Sequence, residues 1–486
     1  MTEPSGLVAC VGLGFGDEGK GKVVDALVRR TGARTVVRFG GGPQAAHHVV
    51  TPEGRVHCFA QFPSGMLVAG TRGWIAREML IDPLALGREA EALALVGAPD
   101  GRARLRVDPL CRIVTPFHRL VGRMRELARG ARRHGSCGRG VGEAVRDAAA
   151  RGSEAIFAGD LLDPSILVGK LRRQRAVALD HAEQLAEEGG RGESRTAHGG
   201  ENGENGGELA RHLAEIRRLG SDCDSGGGDD DAGSAGSVLA ALAASMSEGL
   251  AGVRFAGERE LAAEVEEELG RGVPVLFEGA HGVLLDATRG FVPHVTATDT
   301  TFAPAERLAA RIAPGRPLFR LGITRAYATR HGAGPFVTED PDLTEALPEP
   351  HNVPNPWQGA MRAGPLDLVA LRYALSVAAA EPVALAVTHL DRLSGLGNVR
   401  LATRYEVDGA PAGLVANARH LERCRPVYEE RPGWEGELSS CRTPGDLPPQ
   451  ARDFLRFLAS PDGLGTPVVL ASVGPSAAET LFFGES

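Results

Sequence analysis

Lysine is nearly missing from this chain: of 486 residues only Lys20, Lys22 and Lys170 are lysines, and arginine carries the rest of the positive charge. Aromatic residues are also scarce, at 5%. There is no basic excess. The formal charge is −8 and the pI about 6, which argues against a general affinity for nucleic acid or an anionic membrane. No segment approaches the roughly 20 apolar residues that span a bilayer. The opening Met-Thr-Glu-Pro-Ser lacks the basic-then-apolar pattern of a secretory leader. Seven cysteines (10, 58, 111, 137, 223, 424 and 441) are odd in number and scattered, so neither a disulfide framework nor a zinc site is expected. These absences lead us to expect a soluble, cytoplasmic, reduced protein with no nucleic-acid or membrane partner. With 43% hydrophobic residues, a large core is available, as several domains or as one large α/β domain with insertions.

What is present is organised around Gly12-Leu-Gly-Phe-Gly-Asp-Glu-Gly-Lys-Gly-Lys22. An apolar run, Leu7 to Leu13, leads into it, and Val23-Val-Asp-Ala-Leu27 follows with helical character. The pattern is strand, glycine loop, helix. Such a loop presents backbone N–H groups to an anion at a helix N-terminus. Gly14 to Lys20 fits the phosphate-loop spacing G-x-x-x-x-G-K, but Gly21 stands where Ser or Thr would hold Mg²⁺. Gly14-Phe-Gly16-Asp-Glu-Gly19 also fits G-x-G-x-x-G. The next strand, Thr35 to Phe39, however, runs into Gly40-Gly-Gly instead of the acidic residue that reads a ribose, which disfavours a dinucleotide. Two of the three lysines lie in this loop, where a compact ammonium suits phosphate. The competing reading is a glycine turn with solvated charges.

Farther on, Arg38-Phe-Gly-Gly-Gly-Pro-Gln-Ala-Ala-His-His48 puts two histidines after a second strand, at the sheet edge where α/β proteins bind ligands. Arg133 to Gly142 is a second glycine-rich basic segment, read as an anion loop or a flexible surface loop. From about 187 to 236 Gly, Glu, Asp, Ser and Asn dominate, which predicts two disordered tracts flanking a short helix, Glu208 to Leu219. Its acidic run reads as a solvated linker, not a metal site. Order returns at Val273 to Gly282. Strands are predicted at Leu318 to Ile323, Val383 to Asp391 and Pro467 to Pro475, with a helix over Leu366 to Ala378 and an irregular loop over Pro348 to Pro365. Asp391, at a strand end, is placed either to read guanine N1–H and its 2-amino group or to cap a helix. This alternation predicts a single large α/β domain over residues 1–486, with a mainly parallel central sheet, helices on both faces, and an interruption at about 187–236.

Taken together these segments resemble the adenylosuccinate synthetases, GTP-dependent ligases that join IMP to aspartate. The resemblance rests on GDEGKGK (16–22), RFGGGPQAAHH (38–48), FPSGML (62–67), GRGVG (138–142), FEGAHGVLLD (277–286), VTATDTT (295–301), TRAYATRHGAGPF (324–336) and THLDRLSGL (388–396). It implies that Asp17 takes the N1 proton of IMP, that the resulting 6-oxyanion attacks the γ-phosphorus of GTP, and that aspartate's amine then displaces phosphate. It further implies that Lys20 and His47 stabilise the transferring phosphoryl, and that Asp17 and the Ala46 carbonyl hold Mg²⁺. GTP would be bound by Gly16, Asp17, Glu18, Gly19, Lys20, Gly21 and Lys22, with His389, Leu390, Asp391, Ser472, Val473 and Gly474 around the base. IMP would meet Asp17, Lys20, Gln44, His47, Cys137, His281 and Thr296, and Arg151 from the second subunit of a homodimer.

The departures from the family pattern are equally specific. Gln44 replaces an asparagine, Ala46 a glycine, Cys137 a phosphate-binding threonine, His281 a glutamine and His389 a lysine. The amino-acid loop departs most. A Gly-Ala-Thr-Thr-Gly-Arg stretch with further arginines is replaced by Asn355-Pro-Trp-Gln-Gly-Ala-Met-Arg362, leaving Trp357, Gln358 and Arg362 as the expected amine contacts. A dicarboxylate favours bidentate arginine partners. Three readings follow: the IMP–aspartate ligase, a diverged relative using another amine or purine, or a nucleotide-binding protein without ligase activity.

Overall fold

The computed structural model describes residues 6–193, 201–219, 237–349, 352, 354 and 356–484. A ten-stranded sheet forms its centre. In chain order the strands are β1 (Leu7–Gly12), β2 (Thr35–Arg38), β3 (Arg72–Ile75), β4 (Leu105–Val107), β5 (Arg254–Phe255), β6 (Val275–Gly282), β7 (Leu318–Arg325), β8 (Ala384–Thr388), β9 (Val468–Ser472) and β10 (Thr480–Phe482). In space they lie β10-β9-β8-β7-β1-β6-β2-β3-β4-β5. Every neighbouring pair is parallel except β9 with β10. This is the mainly parallel sheet expected.

β1 is buried along its whole length, as a strand covered on both faces must be. Leu7, Ala9 and Val11 join a core with Phe277, Phe302, Leu308 and Leu371. Val8 and Cys10 join the opposite one, with Val23, Val24 and Leu27 of helix α1 (Lys20–Thr31). Helices therefore cover both faces. A further layer contains α2 (Pro116–Ala128), α3 (Val141–Arg151), α4 (Pro164–Glu193), α5 (Glu201–Arg218) and α6 (Ser237–Gly249).

Two expectations are corrected here. Residues 187–193 continue α4 and 201–218 form α5, so these parts of the low-complexity stretch are helical and not disordered. The reason is tertiary. Leu209 and Ile216 are buried, Leu213 and Leu219 pack against the same core, and α5 docks on α2 and α4. Such packing outweighs the poor helix propensity of the glycines. Residues 194–200 and 220–236, which carry the rest of that expectation, lie outside the described residues. Within the expected loop 348–365, Met361–Gly364 pairs antiparallel with Ala328–His331. Among the described residues no helix is long and apolar enough to cross a membrane.

Candidate functional site

β1 lies between β7 and β6, and the chain leaves it for α1 and β2, so strand order reverses at its carboxyl end. That is where open α/β sheets receive ligands. The Gly12–Lys22 loop occupies this point. Its path requires left-handed backbone at Gly16 (φ 90°) and Gly19 (φ 80°), and Asp17 joins them at φ 60°. A non-glycine residue there carries roughly 1–2 kcal/mol of strain. The surroundings hold it in place: Arg325 Nε donates to the Asp17 carbonyl at 2.6 Å, and Thr388 Oγ1 to the Glu18 carbonyl at 2.8 Å. His281 and His389 are also left-handed, at φ 56° and 60°.

Glu18 is 3% exposed and turns back into the loop. Its carboxylate accepts the N–H groups of Gly14 (3.0 Å) and Gly16 (2.8 Å) and pairs with Lys20 Nζ at 2.6 Å. Lys20 is thereby held in place within the loop. Gly282 closes over the same point. A Cβ there would lie 2.2 Å from the Gly14 carbonyl oxygen and 2.4 Å from Glu18 Oε1. Gly282→Ala is therefore expected to cost about 2–3 kcal/mol as an overpacked site, read as a lower urea midpoint. An unchanged midpoint would mean that the loop does not close on β6 in this way.

Burial pushes the Asp17 carboxyl above the usual carboxylate range, against the attraction of Arg325 and Lys20. Beside the loop, His47 Nδ1 lies 2.6 Å from Glu278 Oε1 at the end of β6. Glu278 also accepts the N–H (2.8 Å) and Oγ–H (2.6 Å) of Ser64. Although burial acts to raise it, the Glu278 carboxyl is held down to about 2 by His47, Arg38 and these hydrogen bonds. His47 is lowered to about 4 by burial and by Arg38, and His281 to about 3 by burial and by Lys20, His47 and Arg38. Glu278 therefore accepts the Nδ1 proton and leaves Nε2 of the neutral imidazole bare.

Several polar atoms on this inner wall are buried without a hydrogen-bond partner: His47 Nε2, His281 Nδ1, Gln44 Oε1 and all three guanidinium nitrogens of Arg38. Native interiors rarely leave such groups orphaned. Together they form a wall suited to a polar, anionic ligand. Because His47 and His281 resist protonation, the unfolded chain binds protons that the fold refuses. Their contribution to stability is complete above about pH 6.5 and is lost as pH falls toward 4, at roughly 1.4 kcal/mol per pH unit for each. Urea midpoints from pH 8 to 4.5 are expected to fall across that window and to fall less in His281→Gln; equal slopes would remove His281 from this account.

The opposite side of the loop meets the carboxyl ends of β8 and β9. Lys22 Nζ donates to the Gly474 carbonyl. Burial lowers Lys22 to about 8, against the attraction of Asp391 and Glu479. Burial raises Asp391, opposed by Lys22. The His389 N–H donates to Ser472 Oγ at 3.2 Å, and burial holds its ring well below the usual histidine range, so it stands as a neutral imidazole. Leu390 and Val473 are buried beneath this wall.

The second glycine-rich segment is tied down. Glu126 of α2 accepts the N–H groups of His134 (3.0 Å), Gly135 (3.1 Å) and Ser136 (3.4 Å), and Arg123 Nε donates to the Gly138 carbonyl at 3.3 Å. Cys137 is half-buried, and burial pushes its thiol up. The half-buried Thr296 gives its backbone N–H to Leu285 at 2.8 Å. Arg151 ends α3, about 15 Å along the helix from the 137–140 loop, and lies against Asp147 at 3.5 Å. Within one chain Arg151 is thus not beside the glycine loop. Ala46 is exposed.

Among the expected amine contacts, Trp357 packs against Gly138. Gln358 Nε2 reaches the His331 carbonyl at 3.5 Å. Arg362 is engaged locally, with Glu339 at 2.7 Å and the carbonyls of Gly332 (2.6 Å) and Gly334 (2.9 Å). Nearby Arg330 is likewise committed, to the carbonyls of Ala333 (3.1 Å) and Pro335 (2.6 Å). Sequence reasoning assigned no role to Glu278, Arg38, Arg325, Glu126 or Glu479. Glu278 and Arg38 lie inside quoted motifs, at strand ends beside glycine turns, a position that could have singled them out. Glu126 and Glu479 carry no local signal.

A family model described as adenylosuccinate synthetase matches residues 9–197 and 256–481. Curated adenylosuccinate synthetases are similar over nearly their full length: that of Magnetococcus marinus is 32% identical over 98% of both chains, and that of Acidithiobacillus ferrooxidans 33% identical over 98% of both. The fully ligated adenylosuccinate synthetase of Plasmodium falciparum shares the fold, with a TM-score of 0.74 at 22% identity, covering 98% of this chain and all of that one. The succinoaminodeoxyadenylate synthetase of cyanophage S-2L is more distant, with a TM-score of 0.52 at 14% identity over 99% of this chain and 97% of that one. The chain belongs to the adenylosuccinate synthetase family, ligases that form a carbon–nitrogen bond.

Proposed function

We propose that this protein uses GTP to phosphorylate the 6-oxygen of IMP and lets the amine of aspartate displace that phosphate, giving adenylosuccinate. The observation that carries the reading is the meeting of three parts at one sheet edge. These are the Asp17–Lys20 loop, the His47–Glu278 pair, and the Lys22–Asp391–Gly474 wall.

Asp17 takes the N1 proton of IMP, and its raised proton affinity suits a base. The 6-oxygen attacks the γ-phosphorus and GDP leaves. Lys20 and the loop N–H groups offset charge on the transferring phosphoryl. His47 donates to a phosphoryl oxygen through Nε2, and Glu278 stabilises the imidazolium that this requires. The amine then attacks C6, phosphate departs, and the amine's proton is lost. Gln44, His281, Thr296 and Cys137 line the IMP side; Asp391, with the 472–474 turn and His389, lines the guanine side. Mg²⁺ would be held by the Asp17 carboxylate, the Ala46 carbonyl and substrate phosphates. Bound there, Mg²⁺ would spread the negative charge of the phosphoryl in transfer. Arg151, remote within its own chain, would serve a neighbouring site in a cytoplasmic homodimer.

Since Nε2 of neutral His47 is bare, donation needs a second proton. Binding of GTP with IMP near pH 7 is therefore expected to take up about one proton, measurable by calorimetry in buffers of differing ionisation enthalpy. Zero uptake would argue against the imidazolium.

One observation favours a second reading, in which another amine is the nucleophile: Arg362 and Arg330 are both occupied by their own hairpin. Each charge-assisted hydrogen bond lost to a dicarboxylate costs roughly 1.5–3 kcal/mol. Phosphate release from GTP, Mg²⁺ and IMP with aspartate, then with a panel of amines, tests both. Turnover with aspartate at a micromolar to millimolar KM would establish the first reading. Turnover with another amine alone would establish the second, and no turnover with any would refute both.

A further inference from the structure

Helix α5 falls inside residues 198–255, which the family model leaves unmatched, yet it reaches the site. Its His212 ring lies 6.1 Å from the Trp357 indole. The Arg123 guanidinium lies 5.2 Å from the same ring. The indole also rests on backbone. A Cβ on Gly138 would come within 3.0–3.2 Å of three of its ring atoms, and Gly138 is left-handed at φ 67°. Only glycine accepts both that conformation and that contact.

We propose that Trp357, packed against Arg123 and His212 of α5, is a positioning residue that holds the 135–140 loop, and with it the phosphate of the purine nucleotide. The proposal rests on the reading above in which Cys137 meets IMP. It moves Trp357 from the amine to the nucleotide side.

The loop is anchored unequally. At its start Glu126 takes three backbone N–H groups. At Gly138 the N–H donates to Ser136 Oγ at 3.3 Å within the loop, and the hydrogen bond from outside it is that of Arg123 at 3.3 Å, whose side chain also stacks on Trp357. The indole is the apolar cover on this end. Without it, the left-handed glycine is free to relax and Cys137 moves with it. A displacement near 1 Å at a binding group can cost on the order of 10²-fold. The glycine loop that receives GTP has its own anchors in Arg325 and Thr388 and is not touched by the change.

The test combines steady-state kinetics with amide hydrogen exchange in Trp357→Ala, Trp357→Phe and His212→Ala. For Trp357→Ala we expect the KM for IMP to rise roughly 10- to 100-fold, while the KM values for GTP and for the amine change little. Phenylalanine should restore most of the loss, and His212→Ala should shift the IMP KM in the same direction but less. Peptides covering 133–142 should exchange faster in Trp357→Ala. A rise in the amine KM with that for IMP unchanged would overturn the proposal, and so would unaltered exchange over 133–142. Exchange needs no substrate, so it decides the strut even if the wild-type protein fails to turn over IMP, a failure that would refute the functional reading instead.

Discussion

Asp17→Asn is expected to lose turnover by about 10²- to 10⁴-fold, the usual worth of a positioned general base, while GTP binding stays within a few-fold of wild type. The substitution keeps the shape of the side chain and removes its ability to accept a proton. It should not unfold the loop. Burial already disfavours the carboxylate's charge, and the contacts that hold the left-handed turn are made by the backbone carbonyls of Asp17 and Glu18. GTP keeps the loop N–H groups, Lys20, Lys22 and the Asp391 wall. The measurement is phosphate release beside equilibrium binding of GTP. An Asp17→Asn protein that turns over near the wild-type rate would refute its role as base, and one that no longer binds GTP would assign Asp17 to binding instead.

Glu278→Gln carries the second large effect. The side chain is fully buried and answers to His47, to both groups of Ser64 and to the charge of Arg38. Glutamine fills the same space but cannot stabilise an imidazolium, so we expect kcat to fall about 10²- to 10⁴-fold, the upper end being the loss seen for the carboxylate partner of a catalytic histidine. Stability should fall as well. Arg38 is buried with no hydrogen bond to its guanidinium, and loss of a nearby carboxylate leaves its charge less compensated. Breaking a buried charge pair costs about 3–5 kcal/mol; here the pair is not in direct contact, so about 3 kcal/mol is the upper expectation. The double variant Glu278→Gln/Arg38→Met separates the two effects. It should regain stability in urea denaturation and remain slow. Recovery of turnover in the double variant would show that Glu278 acts by folding alone.

How much of this was visible in the chain can be judged residue by residue. The strands ending at Gly12, Arg38, Gly282, Arg325 and Thr388 are apolar runs into glycine or polar turns, a pattern that survives in any context. β3, β4 and β5 were not legible. They are two to four residues long, and their pairing depends on neighbours already in the sheet. Gly203, Gly206 and Gly207 suggested disorder, whereas α5 forms because its Leu209–Ile216 stripe finds α2 and α4.

The sequence by itself determined the glycine loop proposed to hold phosphate. An anion cradle is built from consecutive N–H groups and one nearby ammonium, all within Gly12–Lys22, so local spacing suffices to specify it. The neighbours that make the cradle a site were decided by tertiary structure alone. His47 finds Glu278 from 231 residues away, and Lys22 finds Gly474 from 452 away. Trp357 was expected on the amine side and packs on Gly138, beside Arg123 and His212. Hydrogen bonds and ring contacts across such separations leave no periodic trace in the chain. They exist because the order of strands around β1 and the docking of α5 bring those residues to one edge.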